Sequence, residues 1–301
     1  MRVLITGAGG QVGRALMRVL TEAGLVPVGL TRAQLDITDA GAVAAVLAQE
    51  KPDYVINAAA FSDVAVAQGD ATRCYAINRD GAAVLARACA EQGAAFFYLS
   101  TDYVFDGMQP QPYAETDKPN PRNVYGNSKY EGEEAVREYC PRHLILRTSW
   151  VFSEEGNNFF VRTLERAVAG QPIKGVNDQI SCPTWAGHLA LVVIAMLRQV
   201  DCNTDPELWG TYHYCDRGAT TRYDFARTIV SQAVQAGMAS EIQVTPIESS
   251  ELQNRAEEAR QSVLATDHLF FTFGIRQRGW RQGIKAALRK IQQRESAVQS
   301  N

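Results

Sequence analysis

Val3-Leu4-Ile5-Thr6-Gly7-Ala8-Gly9-Gly10-Gln11-Val12-Gly13 begins as a short apolar run, breaks on glycines, and resumes with Val12, Leu16, Val19 and Leu20 at helical spacing. A strand, a tight turn and a helix start follow one another without spare residues. In that order the glycines have separate tasks. Gly7 makes the turn, Gly10 lets a pyrophosphate approach the main chain, and Gly13 permits close packing of helix on strand. Gln11 and Val12 lie between them and are counted with the same cofactor site.

Outward from this turn the pattern repeats. Gly24 supplies a helix stop, and Val26 to Leu30, Tyr54 to Asn57, Phe96 to Leu99 and Leu144 to Arg147 read as further strands. Helical patterns such as Val43, Val46 and Leu47 separate them, and this alternation predicts a parallel sheet covered on both faces, the doubly wound α/β architecture. After Arg147 the rhythm breaks. Turn formers gather at 156–158, 170–175 and 202–210, so a smaller lobe is expected over the carboxyl edge of the sheet. The division is a dinucleotide-binding domain over 1–149, with a return segment near 183–213, and a substrate-binding lobe from 150–182 and 214–301. The last twenty or so residues read as a basic amphipathic surface helix with Ile284, Leu288 and Ile291 on one face.

Composition narrows the partners. In 301 residues, 30 basic and 33 acidic side chains are mixed along the chain, which is not the footprint of a nucleic-acid or membrane-surface binder. A small molecule is the expected partner. Six cysteines without a C-x-x-C pair point to reduced thiols and the cytoplasm. The N-terminus lacks the apolar core of a signal peptide, and the longest apolar run, 189–197, is too short to span a bilayer.

The cofactor can be read further. Asn57-Ala58-Ala59-Ala60 ends the third strand with small residues, leaving room for a dinucleotide across the strand ends. The second strand ends in Gly29-Leu30-Thr31-Arg32, with no acid for a ribose 2′-hydroxyl but with a guanidinium suited to a 2′-phosphate. NADPH is expected ahead of NADH, which remains possible. Tyr125 and Lys129 are four apart in a helical stretch and share a face. A neighbouring ammonium is expected to bring the phenol toward the working pH, and Lys129 also to hold the ribose. Thr101, ending the fourth strand, has a hydroxyl for the carbonyl oxygen that Tyr125 protonates.

Taken together, Gly7 to Gly13, Asn57 to Ala60, Ser100-Thr101-Asp102-Tyr103-Val104-Phe105, Asn123-Val124-Tyr125-Gly126, Arg147-Thr148-Ser149-Trp150-Val151, Asn177-Asp178-Gln179, Pro183-Thr184 and Gly210-Thr211-Tyr212-His213 resemble the extended short-chain dehydrogenases. Within these the chain is similar, over almost its whole length, to the dTDP-4-dehydrorhamnose reductases. The resemblance implies a Rossmann-like fold and NADPH-dependent reduction of the 4-keto group of a dTDP-6-deoxyhexulose. It makes Tyr125 the proton donor, Lys129 its partner and Thr101 the carbonyl-binding hydroxyl. It places Asp36 and Ile37 by the adenosine, and Ser62, Val64, Asp102, Trp150 and Arg260 with the sugar nucleotide.

Related dehydratases carry an acidic pair after the strand-end threonine. Here Asp102 is followed by Tyr103, which favours simple reduction. Some relatives bridge a dimer through magnesium held by glutamates, but Ala15 and Gly187 stand at those positions, so no metal is expected and the protein reads as a monomer or a metal-independent dimer. Ala65, Gln68, Ile180, Ser181 and Gln261 depart from the family pattern near the sugar site. They keep two alternatives open: a reductase of another 4-keto nucleotide sugar, and a catalytically silent NADP-binding partner similar to the regulatory subunit of methionine adenosyltransferase.

Overall fold

The first four strands are short, largely apolar runs, and the helices that follow them start at a glycine turn or at a capping Asp or Asn. The computed structural model describes residues 1–203, 205–252, 257 and 259–299. Its first half runs β1 (Val3–Thr6), α1 (Gln11–Glu22), β2 (Val28–Leu30), α2 (Ala40–Glu50) and β3 (Tyr54–Asn57). Short helices α3 (Val64–Gly69) and α4 (Ala71–Tyr75) and one π turn (Ala76–Asp80) lead into α5 (Gly81–Gln92). β4 (Ala95–Thr101), α6 (Val124–Tyr139) and β5 (His143–Thr148) complete this half. The second strand starts later than the Val26 expected from sequence. Pro27 has no amide to donate to a ladder, and Val26 is left 92% exposed.

The remaining chain supplies β6 (Val151–Phe152), α7 (Phe159–Val168), β7 (Ile173–Val176), β8 (Ile180–Ser181), β9 (Thr184–Trp185), α8 (Ala186–Cys202) and β10 (Gly210–His213). β10 returns to the main sheet, whose order is β2-β1-β3-β4-β5-β10 with every pair parallel. The chain direction across the sheet reverses between β1 and β3. That leaves a crevice beyond the carboxyl ends of these strands, the place where open α/β sheets bind ligands.

Period-two alternation divides the core. Ile5, Ile56, Phe97 and Leu146 face α1 and α8, with Leu16, Leu20, Leu189, Val193 and Leu197. Their neighbours Leu4, Val55, Phe96 and Ile145 face the other way, onto Val43, Leu47, Leu85, Cys89 and Val136. A separate core of Phe152, Phe160, Trp185, Phe225, Trp280, Ile284 and Leu288 joins α7, α9 (Arg222–Gln235) and α10 (Trp280–Gln299). Two small ladders flank it: β12 (Val244–Ile247) parallel to β7, and β11 (Thr220–Thr221) antiparallel to β8. Among the described residues no helix is long and apolar enough to cross a membrane.

Candidate active site

The glycine turn is built for a close visitor. Gly7 has φ +68°, and a Cβ there would strike the main chain of Ala58 and Ala59; one at Gly13 would strike the Gly7 carbonyl. Gly10 is the N-cap of α1 and has no side chain to cap it; its own amide donates to Gly7 O at 2.9 Å. The first-turn amides of Gln11, Val12 and Gly13 therefore have no capping side chain, the arrangement that draws an anion to a helix start. Asn57 is buried and turned inward, its Oδ1 accepting from Thr6 Oγ1 at 2.8 Å and Ala59 N at 3.0 Å. It holds the turn through Ala58 and Ala60 against β1. Arg32 is exposed just beyond β2. Asp36 accepts from Thr38 N and Oγ1 at 3.0 and 2.8 Å, and these bonds, chiefly the main-chain one, hold its carboxyl below the ordinary value. Ile37 is buried under Gly81, where a Cβ would collide with it.

Tyr125 and Lys129 stand on the first turns of α6, which the sequence starts firmly. Asn123 accepts from Gly126 N at 2.8 Å, Gln68 Oε1 accepts from Val124 N at 3.3 Å, and Gly126 lies against the Tyr103 carbonyl where no Cβ would fit. Lys129 is buried, donates to Leu99 O at 2.7 Å and sits 3.8 Å from the centre of the Tyr98 ring. Burial pulls its pKa down to about 7 against the opposing attraction of Glu133. Burial also raises the Tyr125 phenol; a hydrogen bond with Thr101 opposes this and the Asp102 carboxyl adds to it. Here the structure differs from the sequence expectation that Lys129 would lower the phenol. The ammonium is engaged on Leu99 O, and loss of water around the phenol outweighs it. Tyr125 is thus kept protonated through the neutral range, the state a proton donor needs.

Ser100 and Thr101 point to opposite sides of the end of β4, and each meets a buried carboxylate. Ser100 Oγ donates to Glu133, which also takes Arg147 Nε at 2.9 Å, a second Arg147 nitrogen at 2.6 Å and Arg137 at 2.9 Å. The two guanidinium groups hold Glu133 below its ordinary pKa despite burial. Arg147 donates in addition to His213 Nε2 at 3.3 Å, and burial, with Arg147 beside it, lowers that imidazole to about 3, so it stays neutral. On the other side Thr101 Oγ1 donates to Asp102 Oδ1 at 3.1 Å, and the hydroxyls of Ser181 and Ser262 donate to Oδ2. Hydroxyls offset burial only in part, and the Asp102 pKa is raised to about 6.

Trp150 has φ +40°, the left-handed region that a bulky residue rarely occupies, and the Arg222 guanidinium stacks 3.8 Å from its ring. Ser62 is exposed, and Val64 is half-buried at the start of α3, whose N-cap Asp63 accepts from Val66 N at 3.0 Å. Arg260 is exposed, and its carbonyl accepts from Ile180 N at 2.7 Å. Of the departures from the family pattern, Ala65 is exposed, Gln68 caps α6, Ile180 is 37% exposed, Gln261 donates to Pro110 O and Ser181 joins Asp102. Ala15 and Gly187 are buried, Gly187 against the Trp185 ring. Among the described residues no three His, Cys, Asp or Glu side chains are grouped to hold a metal ion.

Two residues of the site have no sequence signal. Asn78 sits in the π turn; its Oδ1 accepts from Phe61 N at 2.8 Å, and its Nδ2 donates to Phe61 O and Ser128 Oγ, each at 3.0 Å. Its main-chain carbonyl takes the Tyr98 hydroxyl at 2.9 Å. It ties the loop after β3 to the helix of Tyr125, and π turns of this kind gather at functional sites. Ser262 is the other, a buried hydroxyl just after Arg260 and Gln261.

Residues 1–293 match the protein family described as RmlD substrate binding domain. A dTDP-4-dehydrorhamnose reductase of Aggregatibacter actinomycetemcomitans is 37% identical over 287 residues, covering 94% of this chain and 97% of that protein. Among solved structures, a dTDP-4-dehydrorhamnose reductase of Clostridium acetobutylicum has a TM-score of 0.89 at 34% identity, over 97% of this chain and 100% of that one. One from Bacillus anthracis, solved in complex with NADP, has a TM-score of 0.88 at 32% identity, over 96% and 99%. By sequence and by structure, over nearly its whole length, the chain belongs to the dTDP-4-dehydrorhamnose reductase family of extended short-chain dehydrogenases.

Proposed function

We propose that the protein reduces the 4-keto group of a dTDP-6-deoxyhexulose, dTDP-4-dehydro-L-rhamnose giving dTDP-L-rhamnose, with NADPH as reductant. The observation that carries this reading is Tyr125: a phenol held protonated by burial, hydrogen-bonded to Thr101, one helical turn from Lys129 at the strand ends. The cradle at Gly7, Gly10, Gln11, Val12 and Gly13 fits a pyrophosphate because no Cβ fills it. Arg32 would take the 2′-phosphate, Asp36 and Ile37 would flank the adenosine, Asn57 to Ala60 would floor the strand ends, and Lys129 would hold the ribose. NADPH, when bound, supplies a hydride to the carbonyl carbon. Tyr125 gives its proton to the oxygen as negative charge develops there, Thr101 offers the same oxygen its hydroxyl, and Lys129 is the partner of the tyrosine.

Ser62, Val64, Trp150 and Arg260 make up the sugar-nucleotide side of this reading, and Asp102, buried with both oxygens engaged, acts on it through Thr101. The dinucleotide half is 1–149 with the return segment 183–213, and the rest of the chain forms the substrate lobe. A second substrate reading, another 4-keto nucleotide sugar, is favoured by the uncharged Ala65 and Gln68 at positions where relatives carry acids. NADPH oxidation with a panel of dTDP-, UDP- and GDP-linked 4-keto sugars tests both. Turnover of the dTDP-6-deoxyhexulose in preference to the others is expected. Binding of NADPH without turnover of any sugar would replace both readings with a silent dinucleotide-binding role.

A further inference from the structure

Both oxygens of Asp102 are occupied, each by hydroxyls from a different part of the chain. Oδ1 takes the Thr101 hydroxyl, at 3.1 Å. Oδ2 faces Ser262 Oγ and Ser181 Oγ, the latter at 3.2 Å, and the two serine oxygens are 3.0 Å apart. The serines come from separate segments, Ser181 from β8 and Ser262 from a stretch paired with it through Ser262 N to Ile180 O at 3.0 Å. All four side chains are buried.

A hydroxyl has one proton to give. Thr101 Oγ1 already accepts from Tyr103 N at 3.2 Å and is hydrogen-bonded to Tyr125. While its proton goes to an ionised Asp102, that proton serves nothing else. When Asp102 is neutral, the two serine donors reserve Oδ2 as an acceptor, so its proton resides on Oδ1. There it donates to Thr101 Oγ1 and releases the threonine's own proton. An asparagine would be held the same way round, with its carbonyl to the serines and its amide to Thr101.

We propose that Asp102, oriented by Ser181 and Ser262, is a positioning residue that sets the direction of the Thr101 hydroxyl. As a carboxylate it takes the threonine's proton; as a neutral acid it turns that proton toward Tyr125 and the reacting oxygen. This rests on the reductase reading and deepens it. Burial keeps Asp102 exchanging near pH 6, inside a working range. Among the described residues, the titratable groups whose charge is coupled to it are the Tyr125 phenol on α6 and the Cys215 thiol beyond β10. Both are raised, so both are neutral while Asp102 titrates.

The test uses the full chain as unaltered protein, Asp102→Asn, Thr101→Val and the double variant, with kcat, KM and NADPH affinity followed from about pH 5 to 8. In the unaltered protein kcat for reduction falls about tenfold or more as Asp102 ionises, because a donor to the developing oxyanion is lost. Asp102→Asn lacks that fall, adding it to Thr101→Val changes kcat no further, and NADPH affinity is the same in all four. A fall that persists in Asp102→Asn, or effects of the two substitutions that multiply, overturns the proposal. A protein inactive on every 4-keto nucleotide sugar would sink the reductase reading instead. The hydrogen bond is then read by carbon-13 NMR of labelled aspartate: Thr101→Val must raise the Asp102 midpoint, and an unmoved midpoint overturns the proposal with or without a substrate.

Discussion

Glu133 and Asp102 are both buried carboxyls held by neighbouring residues of β4, and their proton affinities move in opposite directions. Glu133 has two guanidinium groups and is lowered; Asp102 has three hydroxyls and is raised to about 6. Burial acts on both in the same direction. What separates them is whether the donors carry charge, since a neutral hydroxyl returns only part of the hydration that a carboxylate loses. One side of the strand end is thereby locked as an ion pair that anchors α6. The other keeps a group that can change its proton within a physiological range, beside the two hydroxyls proposed for chemistry.

Tyr125→Phe gives the largest expected loss, because it removes the acid and keeps the ring. kcat should fall roughly 10²- to 10⁴-fold with NADPH binding little changed, as read by steady-state kinetics and cofactor titration. Near-normal kcat would remove Tyr125 from the mechanism and leave the Asp102 side of the comparison without chemical meaning.

Next comes the locked side. Glu133→Ala leaves Arg147 buried without its carboxylate and should cost about 3–5 kcal/mol in denaturant unfolding. Because the folded pKa of Glu133 is lowered, its stabilising contribution is present above the unfolded value. It is lost as pH falls through the folded one, so the variant and the unaltered protein should converge in acid.

Asp102→Asn should do the reverse. A raised folded pKa means the unaltered protein loses stability as pH rises from the ordinary 3.8 to about 6. The asparagine protein should therefore be more stable by about 1–3 kcal/mol at pH 7 and gain nothing near pH 4. Unfolding curves at the two pH values measure it, and equal gains at both would mean that Asp102 is ionised throughout.

The smallest effect is expected farthest from this strand end. Arg32→Ala should weaken NADPH about tenfold, leave NADH nearly untouched and alter neither carboxyl's titration. Isothermal titration with both dinucleotides decides it; a matching loss for NADH would detach Arg32 from the 2′-phosphate.

By itself the sequence determined the sheet, the glycine turn and the pairing of Tyr125 with Lys129. These rest on local rules: β-branched runs, glycine where a Cβ cannot fit, and a spacing of four on one helical face. β2 starts two residues inside its apolar run, at Val28, because Pro27 cannot join a ladder. What only the tertiary structure decided is the electrostatics. That burial, and not Lys129, governs the phenol depends on water excluded by segments far apart in the chain. So does the difference between Glu133 and Asp102, because Arg147, Ser181 and Ser262 reach β4 from three separate elements. Asn78 belongs with them: its bonds to Phe61 and Ser128 span the gap between β3 and α6. Hydrogen-bond partners and dielectric surroundings are properties of the packed chain, and no spacing in the sequence encodes them.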